Sequence, residues 1–291
     1  MDFFKQNIRK TLLENTVHDY YNNLTTEQTK KNLKNFGLLE KELNGGGKDL
    51  HINYNDETYT FTKIDDLNSS TLYYVLYSTN KNDECVVIII NKELKIANIN
   101  NISSYGLKCS NTIINEQGKH LIKITINLLK KYKNKFNIEK IFIKDHTFIS
   151  CKSIKNTIGL ADLYILKYGH TFYGSFGFLP YHEHIDDKKE LNKQYNHNLK
   201  KISELLVNDS YLIHYLNKYS TKYDIDISDL IKYTEENKNK PLSEIIKLIS
   251  SRSNFDNYCH MLKYIIPKLF YKNRLYSFYN KTFEFILSKD M

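Results

Sequence analysis

Between Lys167 and Pro180 the chain reads Lys-Tyr-Gly-His-Thr-Phe-Tyr-Gly-Ser-Phe-Gly-Phe-Leu-Pro, crowding five aromatic rings around three glycines. A tyrosine hydroxyl has an ordinary pKa of about 10, so Tyr173 stays protonated at neutral pH and is able to donate to a basic leaving group. The plainer reading of the same run is an aromatic core cluster at a helix end. A second place for chemistry is Asn115-Glu-Gln-Gly-Lys-His120, where a glycine opens a helical pattern. Backbone N–H groups converging at such a turn, with the helix dipole behind them, suit a phosphate group. Proton acceptors are more scattered. Asp145, His146, His170 and Glu84 are all candidates, and nothing in their spacing selects one.

Other combinations carry less. His182-Glu-His184 followed by Asp186-Asp187 has the composition of a metal site, yet a solvated polar linker accounts for it, and no metal is expected. Cys85, Cys109, Cys151 and Cys259 are scattered without a CxxC spacing. They read as neither a zinc module nor a disulfide framework, so reduced thiols are expected. A Cys–His nucleophile pair is set aside, because that combination arises by chance in a chain of this length.

The elements that would position these groups change character along the chain. Phe3, Phe4, Ile8, Leu12 and Leu13 recur at helical spacing, a second amphipathic run covers residues 26–43, and Asn44-Gly-Gly-Gly47 breaks it. From His51 the period turns toward two. Ile52, Tyr54, Tyr59 and Phe61 alternate with polar residues, and Leu72–Tyr77, Cys85–Ile90 and Leu94–Ile99 follow as strands joined by short polar turns. A helix from Gly118 to Tyr132 presents Leu121, Ile122, Thr125, Leu128, Leu129 and Tyr132 on one face. After it come a strand at Ile138–Ile143, a polar loop and a short helix at Leu160–Tyr168. Beyond Pro180 the apolar spacing is helical throughout. The expected fold is therefore α/β, a mixed and mostly antiparallel sheet flanked by helices, with an all-helical C-terminal region. The expected division is a helical arm at 1–50, a core at 51–190 and a helical domain at 191–291.

Tyr173, Gly177 and Phe178 stand at the spacing of the Tyr-x-x-x-Gly-Phe pattern that closes the acyl-CoA-binding core of the GNAT superfamily of N-acyltransferases. Residues 70–181 resemble that core in order: a hairpin of strands, a glycine turn opening a helix, a strand, then the helix that ends in this motif. The nearest likeness is to divergent members from large DNA viruses. The resemblance implies acetyl-CoA as co-substrate, its pyrophosphate held at Gln117, Gly118, Lys119, His120 and Leu121, in a cleft where neighbouring strands splay. It implies direct attack by an amine, with Tyr173 protonating the departing thiolate, and a strand and hairpin after Phe178. The phosphate loop departs from the family's Gln/Arg-x-x-Gly-x-Gly/Ala. With Gly118 at the last small position, Glu116 falls at the middle glycine and Leu121-Ile122 follow as the family's apolar pair. With Gly118 at the middle, His120 takes the last. A second reading keeps the fold and drops the chemistry, leaving a binding or structural protein that acts through its C-terminal helices.

Composition bounds the partners. The 291 residues include 42 Lys and Arg against 33 Asp and Glu, a formal charge of +9. Only Arg9, Arg252 and Arg274 are arginines, and Lys, Asn, Ile and Tyr are enriched together, as A- and T-rich codons would produce. Without arginine forks for guanine or phosphate, a dedicated nucleic-acid binder is disfavoured. The longest apolar run, Cys85-Val-Val-Ile-Ile-Ile90, is strand-sized, and the first residues lack a signal-peptide pattern. An intracellular, cytoplasmic protein without a membrane partner is expected, acting on an amine acceptor, with the C-terminal helices as the surface for a protein partner.

Overall fold

Asn55 and Asp56 both take positive φ, 49° and 61°, and fold strand β1 (Leu50–Tyr54) directly back onto β2 (Glu57–Asn68). Two left-handed residues in a two-residue loop match the twist of the flanking strands, which is why Asn and Asp occupy them. The computed structural model describes residues 49–68, 70–79, 83–102, 109, 117–151, 156–251 and 255–287. β3 (Thr71–Tyr77), β4 (Glu84–Asn91) and β5 (Ile96–Ile102) extend the meander, each antiparallel to the one before. On β4, Cys85, Val86, Ile88 and Ile90 are wholly buried and Val87 nearly so, because both faces of this strand are covered.

Helix α1 (Gln117–Phe136) packs across β1, β4 and β5 and buries Leu121, Ile122, Ile124, Leu128 and Leu129. Thr125 is buried among them, its hydroxyl donating to the Leu121 carbonyl at 2.7 Å. The chain then enters β6 (Lys140–Lys144), the one strand parallel to its neighbour β5 among the described residues. A separate hairpin, β7 (Phe148–Cys151) with β8 (Asn156–Gly159), precedes α2 (Leu160–Tyr168). A 3₁₀ turn at Tyr173–Phe176 leads into β9 (Leu179–Tyr181). Five helices follow: α3 (Ile185–Glu204), α4 (Leu212–Tyr223), α5 (Ser228–Glu236), α6 (Leu242–Ile249) and α7 (Phe255–Lys272).

The C-terminal region is not all-helical. Thr282–Ile286 forms β10, which enters the sheet between β6 and β9, giving the eight-stranded order β1-β2-β3-β4-β5-β6-β10-β9. Its five residues alternate too briefly to separate from the helical patterns before them, and both its partners lie far away in sequence. The β7–β8 hairpin, where the sequence reads as a polar loop, is a further departure from that reading. The predicted helical arm lies outside the described residues, except that Leu50 already belongs to β1.

The cysteines overturn the expectation of reduced thiols. Cys85 is disulfide-bonded to Cys109 and Cys151 to Cys259, with Cα–Cα distances of 5.8 and 5.7 Å, so none of the four is free. The first bridge ties the start of β4 to the segment leaving β5. The second ties β7 to α7 across 108 residues of sequence. Pairings of this kind, made between distant elements, leave no spacing signature in the chain.

Candidate functional site

β5 and β6 pair only from Ile96/Lys140 to Ile99/Ile143. Beyond that point β5 stays with β4, pairing Asn101 with Val87 and Ile102 with Val86. β6 instead gives way to Asp145, whose N–H donates to the Lys281 carbonyl at 2.9 Å. The two parallel strands therefore part at their C-terminal ends. The crossover helix α1 has 20 residues and is about 30 Å long. Its last turn leads into the start of β6, so its N-terminus lies toward the end where the strands separate.

Of the residues expected to cradle a pyrophosphate, Gln117 begins α1, Gly118 is half-buried and Lys119 is exposed. His120 and Leu121 turn inward. Leu121 is part of the core, and His120 Nε2 lies 2.8 Å from the Tyr59 hydroxyl, which also bonds the Glu57 carboxylate. Burial lowers the His120 pKa, the Glu57 charge opposing it. What these positions can offer an anion is thus backbone N–H and the Lys119 ammonium. A further cation stands near. Lys167, in the last turn of α2, has its pKa lowered by burial and then by the like charges of Lys119 and Lys247.

Tyr173 is reached through tight backbone. α2 ends on Gly169 in the left-handed conformation, and Gly177 (φ +88°) closes the turn so that Phe178 plunges into the core. At Gly174 a side chain would collide with the Tyr195 hydroxyl. The Tyr173 ring packs edge-on against Phe172 and Phe178 and tilts against Phe283, leaving it 4% exposed. The plainer reading of the aromatic run, a core cluster at a helix end, holds, and the Tyr173 hydroxyl lies within it. The pKa of that hydroxyl is raised, by burial first and then by the negative charge of Asp145.

Asp145 is fully buried where β6 ends. Its Oδ1 accepts from the Thr147 N–H at 3.1 Å and from the Thr147 hydroxyl, while its Oδ2 has no hydrogen-bond partner among the described residues. Burial pushes its pKa up to about 6 against the Thr147 bonds, and Asp162 adds a like charge. Asp162 on α2 is raised by burial too, and its Oδ1 accepts from Ser277 at 2.6 Å. Among the four candidate bases, Asp145 is the one whose charge reaches Tyr173. His146 is exposed and edge-on to Tyr279, His170 stacks on Tyr168, and Glu84 is exposed and adds its charge to the burial that raises the pKa of Tyr77. Asp162 is not among the sequence candidates, although an acid inside Leu160-Ala-Asp-Leu-Tyr-Ile-Leu166 is conspicuous in so apolar a helix.

His182 lies 3.3 Å from Asp187 at an exposed position before α3. Among the described residues no three His, Cys, Asp or Glu side chains gather as a metal site, and no helix is long and apolar enough to cross a membrane. No family model, no curated protein and no solved structure matches this chain.

Proposed function

We propose that the chain is an acyl-CoA N-acyltransferase acting on an amine, with its reaction centre where β5 and β6 part. The observation that carries this is the parallel strand pair, the one such pair among the described residues, in an otherwise antiparallel sheet, opening at the end toward which the N-terminus of its crossover helix points. β9 directly after Phe178, paired antiparallel with β10, supports the resemblance further, with the five helices standing where a hairpin turn would be. The acceptor nitrogen attacks the thioester carbonyl carbon, forming C–N and breaking C–S. The nitrogen gives up its proton to Asp145, whose pKa of about 6 leaves it ionised and able to accept at neutral pH. Tyr173, held protonated by burial, gives its proton to the departing thiolate. The proton taken up by Asp145 then replaces the one lost by Tyr173 through exchange with solvent, since the two side chains are not hydrogen-bonded to each other. Backbone N–H groups at Gln117 and Gly118, with Lys119 and Lys167 near them, hold the phosphates.

One observation favours the inactive scaffold as a second reading: Tyr173 and Asp145 are both closed off from solvent in this conformation. Calorimetric titration with acetyl-CoA separates the two. Micromolar binding lost in Gly118→Glu, followed by an acceptor screen in which Tyr173→Phe is at least tenfold slower, supports the enzyme. No heat at high protein concentration rejects it in favour of the scaffold.

A further inference from the structure

α4 and α7 pack side by side, and their outer seam is built from tyrosine and lysine. The Tyr219, Tyr223 and Tyr264 rings contact one another at centroid distances of 5.0 to 5.6 Å, with His260 donating to or accepting from the Tyr219 hydroxyl at 2.9 Å. Lysine ammonium groups rest on these rings. Lys222 is 5.0 Å from the Tyr223 centroid and 5.3 Å from that of Tyr264, Lys268 is 3.6 Å from Tyr264, and Lys272 is 4.9 Å from Tyr211. Among the described residues, no carboxylate lies within ion-pair distance of Lys218, Lys222, Lys268 or Lys272. The cations instead repel one another, and Lys268 loses proton affinity to burial and then to Lys222 and Lys218. Aromatic faces hold these ammonium groups without neutralising them.

Spacing makes the cluster a row. Lys218 and Lys222 are one helical turn apart on α4, as are Lys268 and Lys272 on α7, an axial step of about 6 Å that suits successive phosphates of an extended strand. Exposed rings accompany them: Tyr211, Tyr223 and, at 85% exposure, Tyr271. Unpaired bases have free faces to stack on such rings, whereas duplex bases do not. The scarcity of arginine, which counts against base reading, leaves phosphate contact by lysine unaffected. We infer that the α4–α7 face binds single-stranded nucleic acid, through its phosphates and without sequence preference, independently of any chemistry at the sheet.

The test is fluorescence-polarisation titration of the full chain with labelled single-stranded DNA of two unrelated sequences, over a range of salt. Both sequences should bind alike, an unlabelled duplex of equal length should compete less well, and affinity should fall steeply with salt. The variant Lys218→Gln/Lys222→Gln/Lys268→Gln/Lys272→Gln should bind about tenfold or more weaker, with a salt slope reduced by roughly 0.7 for each lysine that met a phosphate. Arginine at the same four positions should restore binding. A control, Lys189→Gln/Lys193→Gln/Lys200→Gln/Lys201→Gln on α3, removes the same charge elsewhere, and thermal melts verify that each variant folds. Equal loss in the control, or no binding by the unsubstituted chain, overturns the inference. So does capture by phosphatidylserine vesicles that the DNA fails to reverse.

Discussion

The two halves of the sheet are made differently. β1 to β5 follow one another as neighbours in both sequence and space, each antiparallel to the one before. β6, β10 and β9 are neighbours in space alone. Their assembly depends on tethers between remote segments: Cys151 to Cys259, Asn198 to the backbone of Tyr276, and Glu284 to Lys188 and Lys140. The first half is specified by local turn chemistry and the second by a few long-range contacts. Damage to a single tether should therefore be felt more in the second.

The strongest way to break that comparison is to cut the bridges. In the chain-entropy view, closing 108 residues is worth about 5 kcal/mol and closing 24 about 3.5. Urea unfolding under oxidising conditions should rank Cys151→Ser/Cys259→Ser well below Cys85→Ser/Cys109→Ser in stability. Equal losses would mean that the two halves are held alike. Next in size is Glu284, 3% exposed between two lysines. Glu284→Ala leaves both cations facing an empty acceptor and should cost about 2–3 kcal/mol, discounted for their partial exposure. A change within 0.5 kcal/mol on thermal or urea unfolding would show that α3 does not depend on this tether.

The third effect, at most of the same size, is set by pH. Asp145 is raised from near 3.8 to about 6, so the folded state binds its proton more tightly than the unfolded chain does. Stability should fall as pH rises across that window and level off above it, by at most about 3 kcal/mol. Asp145→Asn should flatten that stretch of the curve. An unchanged curve would assign the slope to another group.

The same contrast governs what the sequence makes legible. Strands β3, β4 and β5, the α1 face and α2 at Leu160–Tyr168 are readable because hydrophobic period and turn residues are local signals. β10 is not, since Thr282–Ile286 acquires its meaning only from β6 and β9. At the site, Tyr173 and Asp145 are visible as candidate types. That the charge of Asp145 is felt at Tyr173 is not, because it depends on where β6 ends relative to a turn that only Gly169 and Gly177 permit. Ser277, which bonds Asp162, comes from the segment just before β10 and is invisible for the same reason.

The insertion of β10 between β6 and β9 has a consequence for how the molecule is born. Among the described elements β10 is synthesised last, after all seven helices. Until it emerges, β6 carries an open edge with unsatisfied N–H and C=O groups, and β9 has no strand to join. The nascent chain thus holds a finished meander, a helical module and an unfilled slot one strand wide. Its period of greatest exposure to wrong pairing ends only when that five-residue segment arrives.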